Sequence, residues 1–140
     1  MRIEFNNYVF YLAGESRGTR YGFAHDAILT WYNAEDVNSY NMTRASCRYF
    51  NRTWENYRFQ SVYLAALTQE LNRITATVKR DFMANYGYKR MTAARREQFE
   101  RYAAKNADIA ALRRAMDIVR TCGGRDYTEQ AETSAEHAAA

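Results

Sequence analysis

The chain predicts an α+β fold, with a small N-terminal antiparallel β-sheet (a hairpin over about residues 21–50) packed against a C-terminal bundle of about three helices. Three observations point there. Alternating apolar residues dominate the first third, apolar residues at spacings of three and four dominate the rest, and the pattern changes once, near Thr53. A length of 140 residues fits one domain with one core, and 47% hydrophobic with 26% charged residues is the balance of a globular chain. This reading places a single α+β domain at 1–125 and an acidic, mobile tail at 126–140.

Arg2 to Ala13 opens as a strand with Ile3 and Phe5 on one face. Beyond Asn6-Asn7 the apolar run Tyr8, Val9, Phe10, Tyr11, Leu12 is nearly unbroken. Either this part is buried on both faces, or the Asn pair, which tolerates positive φ, makes a tight turn. Gly14 to Gly18 reads as a loop. Tyr21 to Asn33 alternates, with Tyr21, Phe23, His25, Ala27, Leu29 and Trp31 sharing a face. The polar stretch Ala34 to Asn38 reads as a hairpin loop, and Ser39 to Phe50 as the return strand. Centring the hairpin on Asp36 pairs Leu29 with Thr43, Ala27 with Ala45, His25 with Cys47 and Phe23 with Tyr49. Arg44 and Arg48 then turn toward solvent or a partner.

Thr53 has the side chain of an N-cap, and Glu55 would sit in the positive first turn of a helix running to about Asn85. Leu64, Leu67, Leu71, Ile74, Val78 and Phe82 form its apolar stripe. That span is long for a globular helix, so a kink or break is expected, and Gly87 suits the stop. Thr92 to about Lys105 reads as a basic helix anchored by Phe99 and Tyr102. Ala107 to Thr121 reads as a third, with Ile109, Leu112, Met116 and Val119 inward and a stop at Gly123-Gly124.

Charge is segregated. Net charge is only +4, yet between Tyr86 and Arg125 ten basic residues face four acidic ones, a local balance of +6. The segment beyond carries Asp126, Glu129, Glu132 and Glu136 and could fold back onto it. Arg44, Arg48, Lys89, Arg90, Arg95, Arg96, Arg101, Lys105, Arg113 and Arg114 are therefore the candidate partner-binding residues. Such a face can neutralise phosphates or dock on an acidic protein surface, or simply solvate helices packed on their other side. Zinc-knuckle spacing, Gly-rich phosphate loops and aromatic RNA-binding signatures are all missing from the sequence, so charge is its one nucleic-acid signal.

Catalytic chemistry has little to build on. His25 beside Cys47 is the one nucleophile–base pairing, but Asp26 points to the opposite face and cannot orient the imidazole. His25, Asp26, Cys47 and Cys122 lack metal-ligand spacing, and Glu35-Asp36 belongs to a solvated loop. The expectation is a non-enzyme without metal or cofactor. No apolar run approaches the ~20 residues needed to cross a bilayer, and the N-terminus reads as a strand, not a signal peptide. Two thiols in separate elements are expected to be reduced, in a cytoplasmic protein.

The most distinctive stretch runs from Tyr49 to Ser61 and concentrates aromatics, Arg and amides at the strand-to-helix junction. Its physics reads two ways. Trp54 and Phe59 can plug the gap between sheet and helix, with Thr53 capping and Arg52 paired to Glu55 or a carbonyl. Alternatively, these are the residue types that dominate interface hot spots. Tyr49, Asn51, Arg52, Thr53, Trp54, Glu55, Tyr57 and Phe59 to Ser61, with Gly22 and His25 upstream, resemble a motif of short accessory proteins encoded by bacteriophages and mobile elements. The resemblance covers about Tyr21 to Leu67 and leaves the basic helices unmatched. It implies no assigned activity. It does imply a bacterial setting in which small, non-enzymatic inhibitors of host defence, anti-CRISPR proteins among them, are common. The partner would be a defence effector protein or ribonucleoprotein. The alternatives are an accessory protein that binds DNA or RNA directly and a Cys47/His25 enzyme.

Overall fold

The computed structural model describes residues 1–20, 22–49 and 60–129. Four antiparallel strands come first: β1 (Arg2–Phe5), β2 (Tyr8–Thr19), β3 (Gly22–Asn33) and β4 (Asp36–Tyr49). Three helices follow, α1 (Gln60–Tyr86), α2 (Ala93–Ala104) and α3 (Ala107–Cys122), and a short strand, β5 (Tyr127–Thr128), closes the described chain. The sheet order is β4-β3-β2-β1-β5, with β5 parallel to β1. This is the α+β arrangement the two periodicities predict.

Asn6 and Asn7, with φ of 46° and 66°, make the tight turn between β1 and β2, the second of the two readings above. Two positive-φ residues in a two-residue loop match the right-handed twist of the strands they join. The hairpin register is as expected: Leu29 opposite Thr43, Ala27 opposite Ala45, His25 opposite Cys47 and Phe23 opposite Tyr49.

Four expectations about element boundaries are corrected. Gly14 to Gly18 is not a loop but the second half of β2, where Gly14 pairs with Ala27 and Ser16 with His25. Cross-strand pairing to a twelve-residue neighbour outweighs the weak strand propensity of Gly. The loop of the following hairpin is only Ala34-Glu35, because β4 begins at Asp36. The kink or break expected in the long helix leaves no interruption in its described part, where α1 runs unbroken over 27 residues. Packing on the sheet at one end and on α2 and α3 at the other supports that length. Finally, the acidic tail does not begin at 126: Tyr127–Thr128 add to β1, Glu129 N–H donates to Glu4 O at 2.8 Å, and Asp126 accepts from the Arg2 N–H at 2.8 Å.

One face of the sheet carries Ile3, Phe5, Tyr8, Phe10, Leu12, Ala27, Leu29 and Trp31. It packs on Val62, Ala66 and Leu67 of α1 and on Leu112, Ala115 and Val119 of α3. Its rings are stacked, Phe5 on Phe10 at 5.8 Å and Phe10 on Trp31 at 5.7 Å. Each such buried side chain contributes about 1.5–3 kcal/mol. A second core joins the far end of α1 to α2 and α3 through Phe82, Phe99, Ala103 and Ile109. Tyr102, expected as an anchor of α2, is instead 39% exposed, and Ala103 takes the inward position. Among the described residues no helix is long and apolar enough to cross a membrane.

Candidate interaction surface

The second core also builds a groove on the outside of the molecule. Gly87, at φ 68°, ends α1 in a left-handed turn that L side chains rarely adopt, and Tyr86 and Tyr88 flank it. Their rings stack at 5.4 Å with an interplanar angle of 15°. Phe82, one turn earlier and fully buried, lies beneath Tyr86 at 5.0 Å and Tyr102 at 5.3 Å. Thr92 caps α2 by accepting from Arg95 N–H, which sets the phase that brings Gln98, Arg101, Tyr102 and Lys105 to the same side. The result is a groove of about 460 Å³ lined by Phe82, Tyr86, Gln98, Arg101, Tyr102, Ala104 and Lys105.

Tyr88 Oη donates to Gln98 Oε1 at 2.9 Å, and the Arg95 guanidinium lies over the Tyr88 ring at 4.1 Å while donating to Arg90 O at 2.9 Å. Tyr86 is 53% exposed. Arg101 and Lys105 are exposed and form no ion pair among the described residues. Two cations without counter-charges at i and i+4, beside two accessible rings over an aromatic floor, can take an anionic group and a flat one together.

The ten basic candidates separate into two groups. Lys89, Arg90, Arg96, Arg101, Lys105 and Arg113 are exposed and make no ion pair among the described residues, and Arg44 is exposed on the outer face of β4. Arg95 and Arg114 serve the fold. Arg114 pairs with Glu129 and lies over the Phe5 ring at 4.6 Å, so part of the acidic segment does fold back onto a basic helix. Arg48 belongs to β4, but its side chain lies outside the described residues, as do those of Cys47 and Tyr49. Asn51, Arg52, Thr53, Trp54, Glu55, Tyr57 and Phe59 lie outside them altogether, the expected Thr53 cap with them. Gln60, the first described residue after the motif, donates to Val119 O at 3.2 Å and Arg120 O at 3.1 Å and fastens α1 to the end of α3.

Elsewhere the buried polar groups bond to neighbouring side chains. His25 is buried and its Nδ1 is hydrogen-bonded to Ser16 Oγ at 2.7 Å. Asp26, on the other face of β3, accepts from Ser46 Oγ and from Arg17 Nε at 3.2 Å. The Ser46 bond, helped by Arg17 and Arg44 and opposed by burial, holds its carboxyl below the usual range. Glu70 reaches the main core from α1 and accepts from Trp31 Nε1 at 3.2 Å, from Thr43 Oγ1 and from Arg73. Burial by itself would raise that carboxyl. The bonds from Arg73, Thr43 and Trp31 outweigh it and hold the group below its usual value. Tyr8 is moved the other way by burial and by its 2.6 Å bond to Asp108.

Among the described residues no cluster of three His, Cys, Asp or Glu is placed to hold a metal ion, and Cys122 is a free thiol. Sequence reasoning named Arg101 and Lys105 but missed Tyr86, Tyr88 and Gln98. Their signal was present in the Tyr-Gly-Tyr-Lys-Arg run at the helix stop, where aromatics flank a forced turn just ahead of a basic helix. No protein-family model, curated protein or solved structure matches the chain.

Proposed function

We propose that this is a non-enzymatic interaction protein that binds a nucleic-acid-handling complex through its basic helical surface and blocks it. The phage and mobile-element resemblance makes a bacterial defence system the target, in an anti-CRISPR-like role in the cytoplasm of the host. The observation that carries the reading is the set of exposed cations from Lys89 to Lys105 that have no internal counter-charge among the described residues. Unpaired surface cations gain more from an external anion than paired ones, because no existing bond has to be broken. The partner is then a ribonucleoprotein, or an effector whose nucleic-acid channel the inhibitor occupies.

A second reading, a nucleic-acid-binding accessory protein of a mobile element, is favoured by the exposed Tyr86 and Tyr102 beside Arg101 and Lys105. The two separate in one experiment. Affinity capture from bacterial lysate, with and without nuclease, returns an effector complex that survives digestion under the first reading. Under the second, capture disappears on digestion. A chain that captures nothing under either condition and protects no infecting phage contradicts both.

A further inference from the structure

We infer that the groove between the end of α1 and α2 is a binding site for a single unpaired nucleotide of a nucleic-acid strand, with its base against Tyr86 and Tyr102 and its phosphates on Arg101 and Lys105. The inference rests on the basic-surface reading and adds the ligand class and the residues that read it. Its volume, about 460 Å³, lies within the range of small-ligand sites and is enough for one base and its sugar. The two walls are accessible rings, Tyr86 53% and Tyr102 39% exposed, each tilted against the buried Phe82, at 5.0 Å and 5.3 Å, with Tyr86 also stacked on Tyr88. Every base presents a π-face, so such walls bind without demanding a particular sequence.

Charge complementarity selects the nucleotide over an apolar side chain. Arg101 and Lys105, one helical turn apart, stand on the groove's rim, while the acids of the same helix, Glu97 and Glu100, are not part of its lining. Gln98 adds a polar group whose Oε1 is already taken by Tyr88, which leaves its amide nitrogen directed to other acceptors. An apolar peptide would fill the aromatic floor but leave both cations unanswered. A nucleotide answers both. A paired base has its faces covered by neighbours and cannot enter, so the site discriminates single from double strands.

The test uses the full chain and three fluorescein-labelled probes of about twelve nucleotides: oligo-dT, oligo-rU and a DNA duplex. Anisotropy at low salt is expected to show both single strands binding more tightly than the duplex. Tyr102→Leu and Tyr86→Leu should weaken single-strand binding, each by roughly 5- to 150-fold, the range found for removing one base–aromatic stack. Tyr102→Phe should restore it, because Phe keeps the stacking face. Both tyrosines are more than a third exposed, so thermal melting should confirm that the variants stay folded. Equal affinity for duplex and single strand overturns the inference, as does binding that falls on charge reversal of Arg101 and Lys105 but ignores the Leu variants. Neither of those results touches the capture experiment, which judges the broader reading. Absence of oligonucleotide binding at low salt overturns the nucleotide site alone.

Discussion

Glu70 shows how much one residue can depend on its neighbours. Its carboxylate is 1% exposed beside a core that includes Trp31, Leu67 and Phe10, and it survives there because Trp31, Thr43 and Arg73 all donate to it. Glu70→Ala strands the Trp31 indole N–H and the Thr43 hydroxyl in an apolar setting. It should cost about 2–3 kcal/mol in urea denaturation at pH 7, the penalty for unsatisfied buried groups. The pH dependence follows from the lowered carboxyl. The folded state holds its proton less tightly than the unfolded chain, so Glu70 stabilises fully above the usual carboxylate value of 4.5. That contribution fades as pH falls through the lower, folded value. A wild-type minus Glu70→Gln difference in stability that shrinks from pH 6 toward acid checks the sign, and a constant difference contradicts it. The sequence carried a faint signal for this residue. Glu70 sits three residues after Leu67 and four before Ile74, on the stripe itself, where a charge without a partner has no place. Arg73, three residues on, was in view, but Trp31 and Thr43 come from β3 and β4 and were not.

At the scale of elements, local chemistry was legible where one residue type dictates a backbone conformation, and illegible where a distant strand decides. Asn6-Asn7, Gly87, Gly123 and the Thr92 cap all act within a few residues, and each marks a boundary. Gly14 to Gly18 has the composition of a loop and becomes strand because β3 continues beside it. β5 is the extreme case: two residues of a polar, acidic stretch pair with β1 across more than a hundred positions. Truncation after Arg125 removes the Glu129–Glu4 backbone bond, the Asp126–Arg2 bond and the Arg114–Glu129 pair. It should lower stability by about 1–2 kcal/mol, two or three modest bonds at the edge of a sheet. Hydrogen exchange gives the matching local reading, with the Glu129 amide protected in the full chain. An unprotected Glu129 and an unchanged melting temperature would show that β5 contributes nothing.

The whole molecule divides its labour by layer. The sheet's inner face and the first half of α1 hold the main core, while the far end of α1 with α2 and α3 forms a second core that presents cations and rings outward. The charge segregation visible in the sequence located that second half, and the three helices were readable from their periodicity. Which cations are engaged and which are available was not readable, since Arg114 and Glu129 are neighbours only because β5 pairs with β1. Two charge reversals that composition alone would treat alike are therefore expected to differ. Arg114→Glu should destabilise the fold by facing Glu129, whereas Arg101→Glu with Lys105→Glu should leave melting unchanged because both side chains are exposed and without ion pairs among the described residues. The direct test of the contact surface is affinity capture from bacterial lysate by the wild type and by the Arg101→Glu/Lys105→Glu chain, side by side. The wild type is expected to retain a nucleic-acid-handling complex and the reversed chain, equally folded, to lose it. Retention of the same complex by both chains would place the contact elsewhere and contradict this expectation.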